Sequence, residues 1–377
     1  MTKDTKARAV RRNTVVAVCG VLVACAAIVC GAAARTTLDI YFIDVEGGQS
    51  TLVVTPAGQS LLIDTGFPSD GTFASIPGDP KQARDANRIV AAAKEAGVAQ
   101  IDYLLITHFH ADHDGAVPEL AQLIPIRTFV DHESPSADAE SRVAGTDAAF
   151  EAYRRVRAAG KHLVPKPGDT IPLRGIGAVV VSAAGETLRK PLIGAGRANP
   201  ACGAAAPAAQ EPTENPRSTG VRLRFGRFSF LDVGDLSGAP LFSLVCPKSL
   251  VGPIDVYLVA HHGGSDTADP ATFSAISPRV AIVNNGAAKG GANETLAALH
   301  QVRGLEDAWQ LHRAAAAGAQ NFADDRIANL DESAAHWIKV SAKEDGSFTV
   351  TNGRTGVVKR YGPRSGASRP SEPAVAK

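Results

Sequence analysis

The stretch IDYLLITHFHADHDG, Ile101 to Gly115, runs an apolar segment into three histidines and two aspartates within seven residues. Titratable side chains delivered to one point at the end of a buried strand each cost roughly several kcal/mol unless they find partners. Metal meets that demand. Residues two apart at a strand end point the same way, so His108 and His110 can hold one ion while the following turn aims Asp112 and His113 at a second position. Imidazoles with a carboxylate suit zinc, at about 2.0–2.2 Å from each ligand.

One cluster does not complete two sites, so other strand ends must contribute. FSFLDVGDLSG places Asp235 just past a β run, where a carboxylate can bridge two ions. IDVYLVAHHGGSD places His261 and His262 at the end of another, and Gly263 and Gly264 let the backbone come close. An aspartate after a strand is by itself a turn or cap residue, and a lone histidine a satisfied core residue. The combination carries the inference.

The rest of the chain places these motifs. LDIYFIDV, STLVVT and SLLIDTG are short β runs broken by Gly-Gly and Pro-Ala-Gly turns, so the body opens as a meander. DANRIVAAAKEAGV then offers Asp85 as N-cap, an apolar stripe and Gly97 as stop, an amphipathic helix leading into the strand IDYLLIT. Further strands are expected at 127–130, 178–182, 220–225, 228–232, 254–260 and 280–283, with helices near 150–159, 270–276 and 295–300 and a last meander over 337–360. Strands meander and then alternate with helices, twice over, which predicts an α/β (α+β) fold of two mixed sheets with helices outside. The expected domain spans 35–362. It carries a low-complexity insertion near 194–217, and a tail from 363 to 377 is expected to be disordered.

Residues 1–34 differ in kind. Lys3, Lys6, Arg8, Arg11 and Arg12 precede an uncharged apolar run that ends in Ala-Ala-Ala, the pattern of a secretory signal peptide cut after Ala34. An uncleaved anchor over 15–34 and a lipoprotein modified at Cys25 are the alternatives; each puts the body outside the cytoplasm, periplasmic or secreted. Without this segment the body carries a charge of about −3. That gives no broad argument for a stable nucleic-acid partner, and Arg222, Arg224 and Arg227 read as the solvated face of a strand. Cys202 and Cys246 remain in the body, as a disulfide candidate or as two unpaired small side chains.

The order LIDTG, THFHADHDG, DVGDLSG, VAHHGGSD resembles the metallo-β-lactamase superfamily, and in particular the hydrolase domain of ComEC-type competence proteins. The likeness includes IYFIDVEGGQSTLVV and NPRSTGVRLRFGRFSFLDVGDLSG and covers most of residues 38 to 285. It implies a four-layer αββα sandwich with a dinuclear metal site at the edge of the two sheets. It implies His108 and His110 as ligands of the first ion, Asp112, His113 and His261 of the second, Asp235 as the bridge and Asp64 as a buried supporting aspartate. His261 is preferred to His262 because it comes first after the strand. The third histidine usual for the first site has no match, since Ala184 and Gly185 stand there. His132 either substitutes for it, touches substrate, or is a structural histidine. The membrane channel of the competence proteins is absent, so DNA transport is not implied.

Two ions, zinc with Mn²⁺ or Fe²⁺ as alternatives, would make a metal-bound hydroxide available near neutral pH, with Asp112 or Asp235 taking the proton from water. The expected activity is hydrolysis of phosphodiester bonds in a small-molecule or short nucleic-acid substrate. The alternatives are a lactonase or β-lactamase-type hydrolase, a mononuclear-iron sulfur dioxygenase, and a metal-binding protein without turnover.

Overall fold

Alternation along the first strand sets the layers, because successive side chains of a strand point to opposite faces. In Leu38–Phe42, Leu38, Ile40 and Phe42 pack into a core that also takes Val180, Leu223, Phe230, Ile282 and Trp309, whereas Tyr41 turns the other way, onto helical residues such as Ile89 and Ala93. The computed structural model describes residues 35–68, 76, 78–203 and 212–364. The expected signal segment and the expected tail from 365 lie outside the described residues, as does 204–211 of the expected insertion.

Among the described residues one sheet has nine strands and the other eight. In the first, Leu38–Phe42 and Thr51–Val54 pair antiparallel, Ser60–Ile63, Ile101–Leu105, Ile126–Val130 and Lys161–Leu163 run parallel, and the closing meander Ile338–Ala342, Phe348–Asn352, Val358–Tyr361 adds to Leu38–Phe42. In the second, Gly177–Ala183, Gly220–Phe225 and Phe228–Asp232 are antiparallel, and Val256–Leu258, Val280–Val283, Asp307–His312 and Ile327–Asn329 continue in parallel. One core lies between the sheets. A second packs Arg84–Glu95, Val117–Leu123 and Thr146–Arg157 on the first sheet, and a third packs Gly238–Val245, Pro270–Ile276 and Asn293–Gln301 on the second. The result is the αββα order.

Three differences from expectation have physical reasons. Asp85 is not the N-cap of its helix: Ala83 holds that place, and the Asp85 carboxylate accepts instead from the Phe67 amide at 2.8 Å and from Arg84, pinning the loop after Ser60–Ile63. The helix Gly238–Val245 was not expected because glycine and proline occupy its first turn, where neither is penalised as in a helix interior. Asp307–His312 was not expected because Gln310 and His312 break its apolar run, yet both are buried with partners, Asn321 and Asp44.

Cys202 and Cys246 are joined in a disulfide that ties the segment after 194 to the end of helix Gly238–Val245. Closing 44 residues removes chain entropy worth about 4 kcal/mol on the loop model. No helix among the described residues is long and apolar enough to cross a membrane.

Candidate metal centre

Parallel strands of both sheets end at the same edge, and in open α/β sheets ligands bind outside such carboxyl ends. Ser60–Ile63 delivers Asp64 and Ile101–Leu105 delivers Thr107 to Asp114; across the sandwich Phe228–Asp232 delivers Asp235 and Val256–Leu258 delivers His261 and His262. The chain turns sharply after His110, whose carbonyl accepts from the amides of His113 and Asp114 at 2.9 and 3.1 Å. That turn sets the His113 ring beside that of His108, with centroids 4.0 Å apart, and brings Asp112 Oδ2 to 3.4 Å from His113 Nε2.

Four side chains close a cage. Asp235 Oδ2 lies 3.2 Å from His113 Nε2 and 3.3 Å from His262 Nε2, and Asp112 Oδ2 lies 3.4 Å from His113 Nε2 and 3.1 Å from His262 Nε2. Ligands at about 2.0–2.1 Å in a tetrahedron are about 3.3 Å apart, so the four edges fit one transition-metal ion. All four residues are buried. Beside the cage, His108 Nε2 lies 3.9 Å from Asp235 Oδ2 and 2.9 Å from His110 Nδ1. His110 Nε2 and Asp235 Oδ1 are buried with no hydrogen-bond partner. Buried polar atoms are rarely left so, and His108, His110 and Asp235 are the residues that would hold a second ion beside the cage.

The field at the centre favours positive charge. Burial opposes protonation of His113, but Asp235, Asp112 and Asp64 overcome it and hold the imidazole well above its ordinary range. Burial likewise opposes the charged forms of Asp112 and Asp235, yet His113 and Lys289 beside the first, and His262 and His113 beside the second, hold both carboxyls well below theirs. Burial, with His113 and His110 nearby, pushes His108 well below its ordinary range.

Asp64 organises the cage without entering it. Its Oδ2 meets His113 Nδ1 at 2.7 Å and accepts from the Thr107 hydroxyl at 2.7 Å, and its Oδ1 accepts from the Thr107 amide at 2.8 Å. This fixes the tautomer that turns His113 Nε2 to the cage. Replacing Asp64 with alanine is expected to weaken metal binding about 10–100-fold with the fold retained, read by chelator competition on purified protein; unchanged affinity would show that His113 needs no support.

The structure exchanges the two adjacent histidines relative to the sequence expectation. His262, not His261, stands with Asp112 and His113. Both lie in the left-handed backbone region, φ 50° for His261 and 53° for His262, which sends their rings apart. His261 is partly exposed, with Nδ1 2.8 Å from Asp266 and Nε2 3.8 Å from Asp235. His132 pairs with Glu214 at 3.0 Å, both buried, and lies against the Phe109 ring rather than among the ligand atoms. Ala184, at the place of the family's usual third histidine, lines a cavity of about 830 Å³ together with His132. A second acid and histidine group, Asp44, Glu46 and His312, is already bridged by Arg88 at 3.2 Å to each carboxylate, so its charge is compensated within the protein. Lys289 pairs with Asp112, and a lysine between Ala288 and Gly290 carries no sequence signal of a partner so far away in the chain.

The family model of the metallo-beta-lactamase superfamily matches residues 43–188, which include Asp64 and the cluster from His108 to His113 but not Asp235 or His262. Hydroxyacylglutathione hydrolase of Rhodopseudomonas palustris (strain BisB5) is 31% identical over 121 residues, 32% of this chain and 37% of that relative. The chain thus spans little more than a third of the curated relative it matches. Similar solved structures include a metal-dependent hydrolase of the beta-lactamase superfamily, with TM-score 0.41 and 11% identity over 72% of this chain and 95% of that one. A diiron beta-hydroxylase from Streptomyces venezuelae has TM-score 0.38 and 14% identity, over 73% of this chain and 52% of that one.

Proposed function

We propose that this chain, whose residues 43–188 match the metallo-beta-lactamase superfamily, is a hydrolase that holds two divalent ions, in the first instance zinc, and cleaves phosphodiester bonds. The observation that carries the reading is the cage of Asp112, His113, Asp235 and His262 with His108 and His110 adjoining it across Asp235. When bound, such a pair of ions supplies Lewis acidity and a nucleophile drawn from water near neutral pH, which suits in-line displacement at phosphorus. Asp112 and Asp235, kept ionised inside the protein, are the groups placed to accept the proton of the attacking water. Asp64 holds His113 in register, and the burial of the ligands limits competing water. The motif order resembling the ComEC-type hydrolase domain supports the phosphodiester over the lactone or lactam.

A thioester is the second reading, favoured by the alignment with hydroxyacylglutathione hydrolase. Metal-loaded protein is expected to turn over bis(p-nitrophenyl) phosphate or a single-stranded oligonucleotide faster than a hydroxyacylglutathione thioester, a lactone or a lactam, in Mn²⁺ or Zn²⁺. Turnover of the thioester or lactone alone would reverse the order. We also propose that the protein acts outside the cytoplasm; the Cys202–Cys246 disulfide and the signal-like residues 1–34 support this.

A further inference from the structure

We propose that Lys289 is the substrate-binding residue of this site and that it takes an anionic oxygen of the substrate next to the scissile bond. The inference rests on the two-ion reading above and adds to it a substrate class, one carrying negative charge at the reacting end.

Lys289 is brought to the centre by construction. Its ammonium pairs with Asp112, a corner of the cage, and lies 5.2 Å from the centre of the Phe67 ring, while the side chain remains 43% exposed. The loop that carries it is stitched to the His262 turn: Gly291 N donates to His262 O and Ala292 N to Gly263 O, both at 2.8 Å, and Gly286 N donates to Lys289 O at 2.8 Å. Two glycines permit the approach. At Gly47, φ +88°, a Cβ would lie 2.9 Å from Lys289 Cβ, and at Gly290, φ +73°, a Cβ would lie 2.4 Å from His262 O. The lysine therefore moves with the ligands and reaches out beside them.

Charge says what it is for. A lysine beside Asp112 would be sufficient as a counter-ion if the carboxylate were alone. With two divalent ions against Asp112 and Asp235, the Asp112 carboxylate is shared between metal and ammonium and no longer balances Lys289 alone; unit charges about 4 Å apart interact by about 4 kcal/mol at a protein-surface dielectric. What completes the charge balance at this opening is an anion, and an ammonium offers it a charge-assisted hydrogen bond of the stronger kind. A neutral lactone or amide brings no such charge.

Inorganic phosphate is the probe, because its binding needs no turnover. Calorimetric titration of metal-loaded protein is expected to show phosphate binding about tenfold weaker in Lys289→Met, with Lys289→Arg within about threefold of wild type and metal content unchanged in both. For bis(p-nitrophenyl) phosphate, KM is expected to rise in Lys289→Met with little change for a neutral aryl ester. Phosphate affinity within twofold of wild type in Lys289→Met, or loss of metal from that variant, would overturn the proposal; the second result would make Lys289 a support for Asp112 only. Absence of phosphodiester turnover together with Lys289-dependent phosphate binding would remove the phosphodiester reading and leave this one standing.

Discussion

His262→Ala is expected to lose one metal equivalent and about three orders of magnitude in activity, while His261→Ala keeps its metal. Removing His262 opens two of the four short edges of the cage, those to Asp112 and Asp235 at 3.1 and 3.3 Å, and leaves three ligands where an ion of this type prefers four. Loss of the polarising ion removes several kcal/mol of transition-state stabilisation, which is about 10³-fold in rate. His261 Nδ1 lies 2.8 Å from Asp266, and its Nε2 lies 3.3 Å from Asn215 Nδ2 and 3.8 Å from Asp235. Metal analysis of the two single variants, prepared side by side, separates them. Loss of metal from His261→Ala with retention in His262→Ala would reverse the assignment of the turn.

The double variant His108→Ala, His110→Ala is expected to retain one ion and lose the other. The cage of Asp112, His113, Asp235 and His262 contains neither residue. The adjoining position, in contrast, would draw on both: His108 Nε2 lies 3.9 Å from Asp235 Oδ2 and 2.9 Å from His110 Nδ1. Activity should fall by about 10³-fold, since both the nucleophile and the second point of polarisation require the pair. One equivalent of metal by elemental analysis with unaltered circular dichroism is the expected result. Two equivalents would show that these histidines hold no ion, and none would show that the cage cannot stand without them.

Much of this centre is legible in the chain because its parts sit at strand ends. His108, His110, Asp112 and His113 fall within six residues of one another, and Asp235 and the His261–His262 pair each follow an apolar run that is a strand in the structure. The same apolar runs give the two sheets and the layers. Which of two adjacent histidines turns inward was not legible, because it is decided by two consecutive left-handed backbone positions, a conformation that non-glycine residues rarely adopt and that sequence does not announce. The Asp85 carboxylate departs from the helix-cap expectation for a related reason: it accepts from the Phe67 amide, a partner set by the tertiary fold. Lys289 and the Glu214 partner of His132 lie far along the chain from the residues they touch. No local pattern connects them.

The central claim is that six side chains hold two ions across Asp235. Metal content per chain, determined on wild-type protein after metal-replete purification and exhaustive removal of loose ions, tests it most directly. Two equivalents of transition metal are expected, and one equivalent or fewer would contradict the account.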